Sequence, residues 1–180
     1  MISMTGAIER RAATPEEAKA MAHPLRLRIL RLCLDRSLTN KQLADRLGRD
    51  PGTLLHHVRI LVDAGFLAPE EMRHGRHGAV EKPYRATGKS WTLDFGVPEY
   101  QDALPALEAL RAELAEAGPG AIVSETRLGL TLNQDSLDEL KERLQAVIED
   151  FAGRSPEPGG KRYGLYLAIH RHRAAGNGGD

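Results

Sequence analysis

One cysteine, one tryptophan and an aromatic content of 4% leave this 180-residue chain with few of the side chains that carry redox, metal or stacking chemistry. A lone thiol, Cys33, cannot form an internal disulfide, which agrees with a reducing compartment. No apolar run approaches the roughly 18 residues of a membrane-spanning helix, so no such helix is expected. The opening stretch MISMTGAIERRAATPEEA has neither an apolar core nor a small-residue cleavage pattern, and a cytoplasmic protein is the expectation. Catalytic fingerprints are missing as well: there is no G-x-S-x-G, P-loop, H-E-x-x-H or dinucleotide glycine motif. Carboxylates are plentiful, but none is tied to a histidine or nucleophile at a telling spacing. The chain therefore reads as a non-enzyme that needs no cofactor.

What is present is an ordinary globular composition, 41% hydrophobic and 28% charged, with a formal net charge of zero. That zero conceals an asymmetry. Residues 1–92 hold 16 Lys and Arg against 10 Asp and Glu, net +6, whereas residues 93–180 hold 9 against 15, net −6. A basic half beside an acidic half suits a chain whose first part meets a polyanion.

Local patterns divide the first half into helices and a ribbon. Thr14 followed by Pro15, Glu16 and Glu17 has the chemistry of a helix start, and Pro24 after Ala22-His23 predicts a break before a second helix through Cys33. Thr39 and Gln42 have capping-box spacing for a short helix that Gly48 ends. Asp50-Pro51 opens another helix, running to Ala64-Gly65. At about 100° per residue, Leu54, Val58 and Leu61 share one stripe of it, and Gly52, His56, Arg59 and Asp63 lie opposite, flanked by Thr53 and Ile60. Phe66 to Met72 and Ala79 to Thr87 read as a two-stranded ribbon around a loop of Gly, His and Arg, with Pro83 expected at an edge.

The second half reads as helix, strand, helix, strand after a linker at Leu93 to Glu99. Tyr100, Leu104, Leu107, Leu110 and Leu114 form one apolar stripe, with Pro105 expected to kink that helix or delay its start. Residues 121–132 alternate, placing Ile122, Leu128, Leu130 and Leu132 on one side and Glu125 and Arg127 on the other. Leu137, Leu140, Leu144, Val147, Ile148 and Phe151 define a strongly amphipathic helix, and Tyr163 to His170 alternates again. The expected class is α+β, mainly α: a flexible segment 1–13, a helix-and-ribbon domain 14–92, a small α/β domain 99–173 for dimerisation or effector binding, and a disordered tail 174–180.

The order helix, helix, turn, helix, ribbon suits the major groove of duplex DNA, which admits one helix and displays distinct donors and acceptors. Ala22-His23-Pro24-Leu25-Arg26-Leu27-Arg28-Ile29-Leu30, the stretch Leu61-Val62-Asp63-Ala64-Gly65-Phe66-Leu67, and Tyr84-Arg85-Ala86-Thr87 together resemble the ArsR-type winged helix-turn-helix regulators over about residues 15 to 91. The resemblance implies a homodimer that binds a near-palindromic operator in double-stranded DNA and represses transcription until an effector, here a small molecule of unknown identity, weakens binding. It makes Asp50 to Gly65 the recognition helix, with Thr53, His56, His57 and Arg59 as contacts to bases and phosphates. Leu55 stands where family members often have Ser, which replaces a hydrogen bond by an apolar contact such as one to a thymine methyl. Lys41 and Gln42 are placed near phosphate, and Arg73 and Arg76 at the wing tip.

Metal sensing does not carry over. The paired cysteines of the arsenic, cadmium and zinc sensors are absent from Thr39 to Leu47. Cys33 reads as a small buried hydrophobe. His74 and His77, like His170 and His172, have ligand-like spacing but no obvious partners, so no metal site is expected. Tyr100, Tyr163, Tyr166 and Arg127 could line an effector pocket, although such a stripe more often belongs to a core. The competing reading of the whole chain is a winged helix that binds proteins, without sequence-specific DNA binding.

Overall fold

The computed structural model describes residues 10–74, 80–96 and 100–171. Chain order is β1 (Arg11–Ala12), α1 (Pro15–Met21), α2 (Pro24–Leu32), β2 (Leu38–Thr39), α3 (Asn40–Leu47), α4 (Pro51–Asp63), β3 (Leu67–Pro69), β4 (Arg73–His74), β5 (Val80–Glu81), β6 (Pro83–Ala86), a 3₁₀ turn (Lys89–Thr92), β7 (Leu93–Asp94), α5 (Tyr100–Ala117) and α6 (Gln134–Ala152).

Each helix of the first half starts where its cap chemistry dictates. Thr14 and Glu17 exchange backbone and side-chain hydrogen bonds in a complete capping box on α1, as Thr39 and Gln42 do on α3. Asp50 accepts from the Thr53 amide at 2.9 Å, with Pro51 in the first turn of α4. Between α1 and α2 the expected break is present, and His23 caps α2 through Nδ1, which accepts from the Leu25 amide at 3.1 Å. Arg26 closes the other side of that break by donating to the carbonyls of Ala20 and Lys19 at the end of α1. Gly48 turns the chain from α3 to α4 in the left-handed region, φ 60° and ψ 41°, where a Cβ would be strained.

These helices meet on one apolar core. Ile29, Cys33, Leu43, Leu54, Val58, Leu61, Phe66 and Leu67 are fully buried, which places the predicted stripe of α4 inward. Full burial of each large aliphatic or aromatic side chain contributes about 1.5–3 kcal/mol. Burial pushes the Cys33 thiol up to about 12, so it is a packed thiol with no thiolate character near neutrality.

The ribbon is more elaborate than the sequence suggested. β6 is the centre of a three-stranded antiparallel sheet, with β2 on one side and β3 on the other, and β4 and β5 continue the wing as a separate pair. Pro83 therefore does not lie on an edge strand. It is tolerated because it is the first residue of β6, where its missing N–H removes no inner ladder bond, and its carbonyl still accepts from the Glu70 amide at 2.9 Å. The end of the segment expected to be flexible is also structured: β1 pairs in parallel with β7, which lies in the stretch expected to be a linker.

In the second half α5 packs against α2 and runs through Pro105 without a break in its assignment. An Arg28–Glu116 ion pair fastens its far end. The amphipathic helix is present as α6, but none of its residues is buried. The two alternating segments, 121–132 and 163–170, form no hydrogen-bonded ladder among the described residues. This corrects the expectation of two strands: alternation prepares one face for burial, but a strand also needs a neighbour to receive its N–H and C=O groups. The expected disordered tail, 174–180, lies outside the described residues.

Candidate nucleic-acid interface

The outer face of α4 has the composition a groove-reading helix requires. Thr53, His56, Arg59 and Asp63 are exposed along it and Ile60 is half-buried, while Leu54, Val58 and Leu61 anchor the opposite side in the core. Leu55 is half-buried at the shoulder of this face. Thus a rigid helix presents a donor-rich row, with Arg59 able to serve guanine O6 and N7 and His56 or Thr53 able to serve either base edge or phosphate.

Two further contacts set the pose of α4, and neither was visible in the sequence. Asn40 Nδ2 donates to the Pro51 carbonyl at 2.8 Å, tying the start of α3 to the first turn of α4. At the far end, Lys89 Nζ donates to the Ala64 carbonyl at 2.7 Å, a cation at a helix C-terminus. That ammonium also meets Glu17 at 2.7 Å and lies over the Phe66 ring, 5.3 Å from its centre. Glu17 is buried at the hub of this cluster, and hydrogen bonds from Arg11, then Lys89, then the Thr14 amide hold its carboxyl well below the usual carboxylate range. Residues from β1, α1, the 3₁₀ turn and the end of α4 are thereby joined through one carboxylate. Only the capping-box role of Glu17 had a sequence signal.

The other predicted contacts are distributed unevenly. Lys41 is exposed in the first turn of α3, whereas the Oε1 of Gln42 accepts from the Thr39 amide at 3.0 Å and is used in capping. Arg73 on β4 is exposed and pairs with Glu81 across the wing at 3.3 Å. Arg76 lies outside the described residues. His57 is half-buried and turned toward the α1–α2 break, its ring centre 4.5 Å from that of His23 and 5.6 Å from that of His56. Its Nδ1 is buried without a hydrogen-bond partner.

This histidine pair gives the domain a pH dependence of calculable sign. Burial, then the proximity of His23, Arg26 and His56, lowers the His57 pKa; burial and Arg26 lower that of His23 against the opposing pull of Glu108. A histidine lowered in the folded state favours the neutral form there, so its contribution is present above the ordinary value near about 6.5 and is lost as pH falls through the folded value. Ring titration by NMR should place both midpoints below about 6.5. His57→Gln should lose less stability than the parent between about pH 7 and pH 5; an equal loss would show that other groups govern the acid side.

Sequence comparison reaches the same stretch of chain. A family model described as "Helix-turn-helix domain" matches residues 21–70, from the end of α1 through α4 into the wing. The helix-turn-helix match falls wholly inside the segment that resembles the ArsR-type regulators, and α3, Gly48 and α4 are its two helices and turn. No curated protein matches the chain.

Several solved structures are similar to about half of it, three of them as follows. Reduced HlyU from Vibrio cholerae is 23% identical, covering 51% of this chain and 80% of its own, with a TM-score of 0.34. The homodimeric winged helix-turn-helix DNA-binding domain, fragment 1–100, of Mb0332 from Mycobacterium bovis is described as a possible ArsR-family transcriptional regulator. It is 22% identical, covering 54% of this chain and 76% of its own, with a TM-score of 0.34. Rv0081 from M. tuberculosis is 24% identical, covering 58% and 94%, with the same TM-score of 0.34.

Among the described residues no group of three or more His, Cys, Asp or Glu side chains is placed to hold a metal ion. No helix among them is long and apolar enough to cross a membrane. Tyr163, Tyr166 and Arg127 are exposed. The side chain of Tyr100, the fourth residue suggested for an effector pocket, lies outside the described set.

Proposed function

We propose that this chain is a transcriptional regulator of the ArsR type that binds a near-palindromic operator as a homodimer and represses the adjoining genes. The observation that carries this reading is the helix-turn-helix domain with α4 anchored at both ends and a polar face, Thr53, His56 and Arg59, turned to solvent. The basic balance of residues 1–92 supports duplex DNA as the ligand, since a net charge of +6 over that half attracts phosphate. Lys41, Arg73 and Arg76 serve the backbone, and Arg59, His56 and Thr53 serve bases, with Leu55 available to a thymine methyl and Gln42 and His57 in supporting positions. The chemistry is reversible association, and any small-molecule effector acts by changing the separation or tilt of two α4 helices.

Selection of bound fragments from a random duplex pool tests this directly. The expected product is two half-sites related by a dyad and spaced about one helical turn, 10–10.5 base pairs, or a multiple of it. Retention without any enriched sequence would favour nonspecific binding. No retention even at low salt would favour the alternative, a winged helix that binds proteins.

A further inference from the structure

We propose that residues 121–132 and 163–169 pair as strands with the same segments of a second copy of this chain, forming one intermolecular sheet that α6 covers. The inference deepens the homodimer reading above by assigning the surface through which the copies meet.

Leaving out Val123 and Tyr166, which alternate to the other side of their segments, the two segments and α6 carry ten large apolar side chains that are 41–75% exposed in the single chain, among them Leu128, Leu130, Phe151, Tyr163 and Leu165. A lone globular chain seldom leaves a contiguous apolar patch above about 300–600 Å². Ten such residues present on the order of 1,000 Å², comparable with the roughly 800 Å² that each partner buries in a standard interface. The area is that of a dimer surface.

Backbone chemistry chooses the kind of partner. Residues 121–132 and 163–169 form no ladder with any described strand, although each is longer than the typical strand of about 5–6 residues. Extended segments with alternating faces are completed by another strand, which a second copy supplies in duplicate. Pairing the two segments within one chain would give only a two-stranded sheet, which is marginal in water; two copies give four strands. The apolar stripe of α6, in which Leu137, Leu140, Leu144 and Ile148 are only half-buried and Val147 and Phe151 exposed, then has a sheet face to cover.

Charge and anchoring agree with self-association. Residues 121–171 hold 7 Lys and Arg against 8 Asp and Glu, so the acidity of the second half resides mainly in and around α5, and two copies of this unit meet without strong repulsion. The start of the second segment is fixed to the DNA-facing half: Arg162 pairs with Asp35 and donates to the Arg31 carbonyl, and Arg31 donates to the Tyr163 carbonyl at 3.2 Å. A sheet closed across two copies would therefore fix the relation between their two α4 helices.

The test is solution mass of the full chain at micromolar concentration without DNA, for the parent, Leu130→Asp and Glu125→Gln. Leu130 is 57% exposed in the single chain, so an aspartate there would be innocuous if that surface faced water. Across a paired sheet it buries two unpaired carboxylates, and the dimer dissociation constant should rise roughly a hundredfold or more. Glu125→Gln, on the opposite side of the segment, should remain dimeric. Amide exchange supplies an independent readout: protection of 122–132 and 163–169 should fall on dilution of the parent. A parent that is monomeric, a Leu130→Asp chain that is still dimeric, or protection independent of concentration would overturn the pairing, the last by showing closure within one chain. A dimer that retains no DNA would leave the pairing standing and defeat the regulator reading instead.

Discussion

Phe66→Ala should destabilise the protein by about 3–5 kcal/mol, the usual cost of emptying a buried aromatic site. Phe66 is 1% exposed and sits where α4 gives way to the wing. Its amide donates to the Leu61 carbonyl at 2.8 Å and its carbonyl accepts from the Thr87 amide at 3.0 Å, so the backbone there is held from both sides and cannot collapse freely into the void. The ring also supports Lys89, which caps α4. A domain typically has only about 5–15 kcal/mol of stability, so the substitution removes a large share. A urea melt should show the midpoint falling with an unchanged slope. A loss below about 1 kcal/mol would mean that the core is not centred at this junction.

The second large effect concerns DNA. If Lys41, Arg73 and Arg76 each neutralise one phosphate, a dimer makes about six such contacts, and the logarithm of the binding constant should fall against the logarithm of salt with a slope near −5. Raising salt from about 50 to 200 mM should then weaken binding roughly a thousandfold. Lys41→Ala should make that slope shallower by about two across the dimer while weakening all sequences alike. Arg59→Ala and His56→Ala should behave otherwise, each costing about 1–3 kcal/mol per half-site on the selected operator and much less on unrelated DNA. Binding isotherms on both kinds of duplex, over a salt series, separate the two classes. Equal losses on both duplexes for Arg59→Ala would assign that guanidinium to phosphate.

Much of the first half was legible because its signals are local. Thr14, Thr39 and Asp50 act within three residues of themselves, Gly48 acts through its own φ, and the stripe Leu54, Val58, Leu61 follows from the helical repeat. The exposed row on α4 follows from the same repeat. The contacts that pose α4 were not legible, because Asn40 with Pro51 and Lys89 with Ala64 and Glu17 join residues that the repeat does not relate. His57 was read as a contact residue like its neighbours, and only the fold shows it turned to His23. Pro83 was misplaced for a related reason: proline chemistry excludes an inner ladder donor, but it does not say which strand is central when β2, some 45 residues earlier, completes the sheet.

The second half shows the limit most clearly. Sequence alone determined that Ile122 to Leu132 and Tyr163 to Ile169 each prepare one apolar side, and that Leu137 to Phe151 form a helix with an apolar stripe, because periodicity is a property of the chain itself. Tertiary structure decided that, among the described residues, these faces are at most half-covered and the segments have no ladder, because strand pairing and burial depend on what lies opposite. Helices close their hydrogen bonds within themselves and so could be read one at a time; strands cannot, and their completion is a matter of partners.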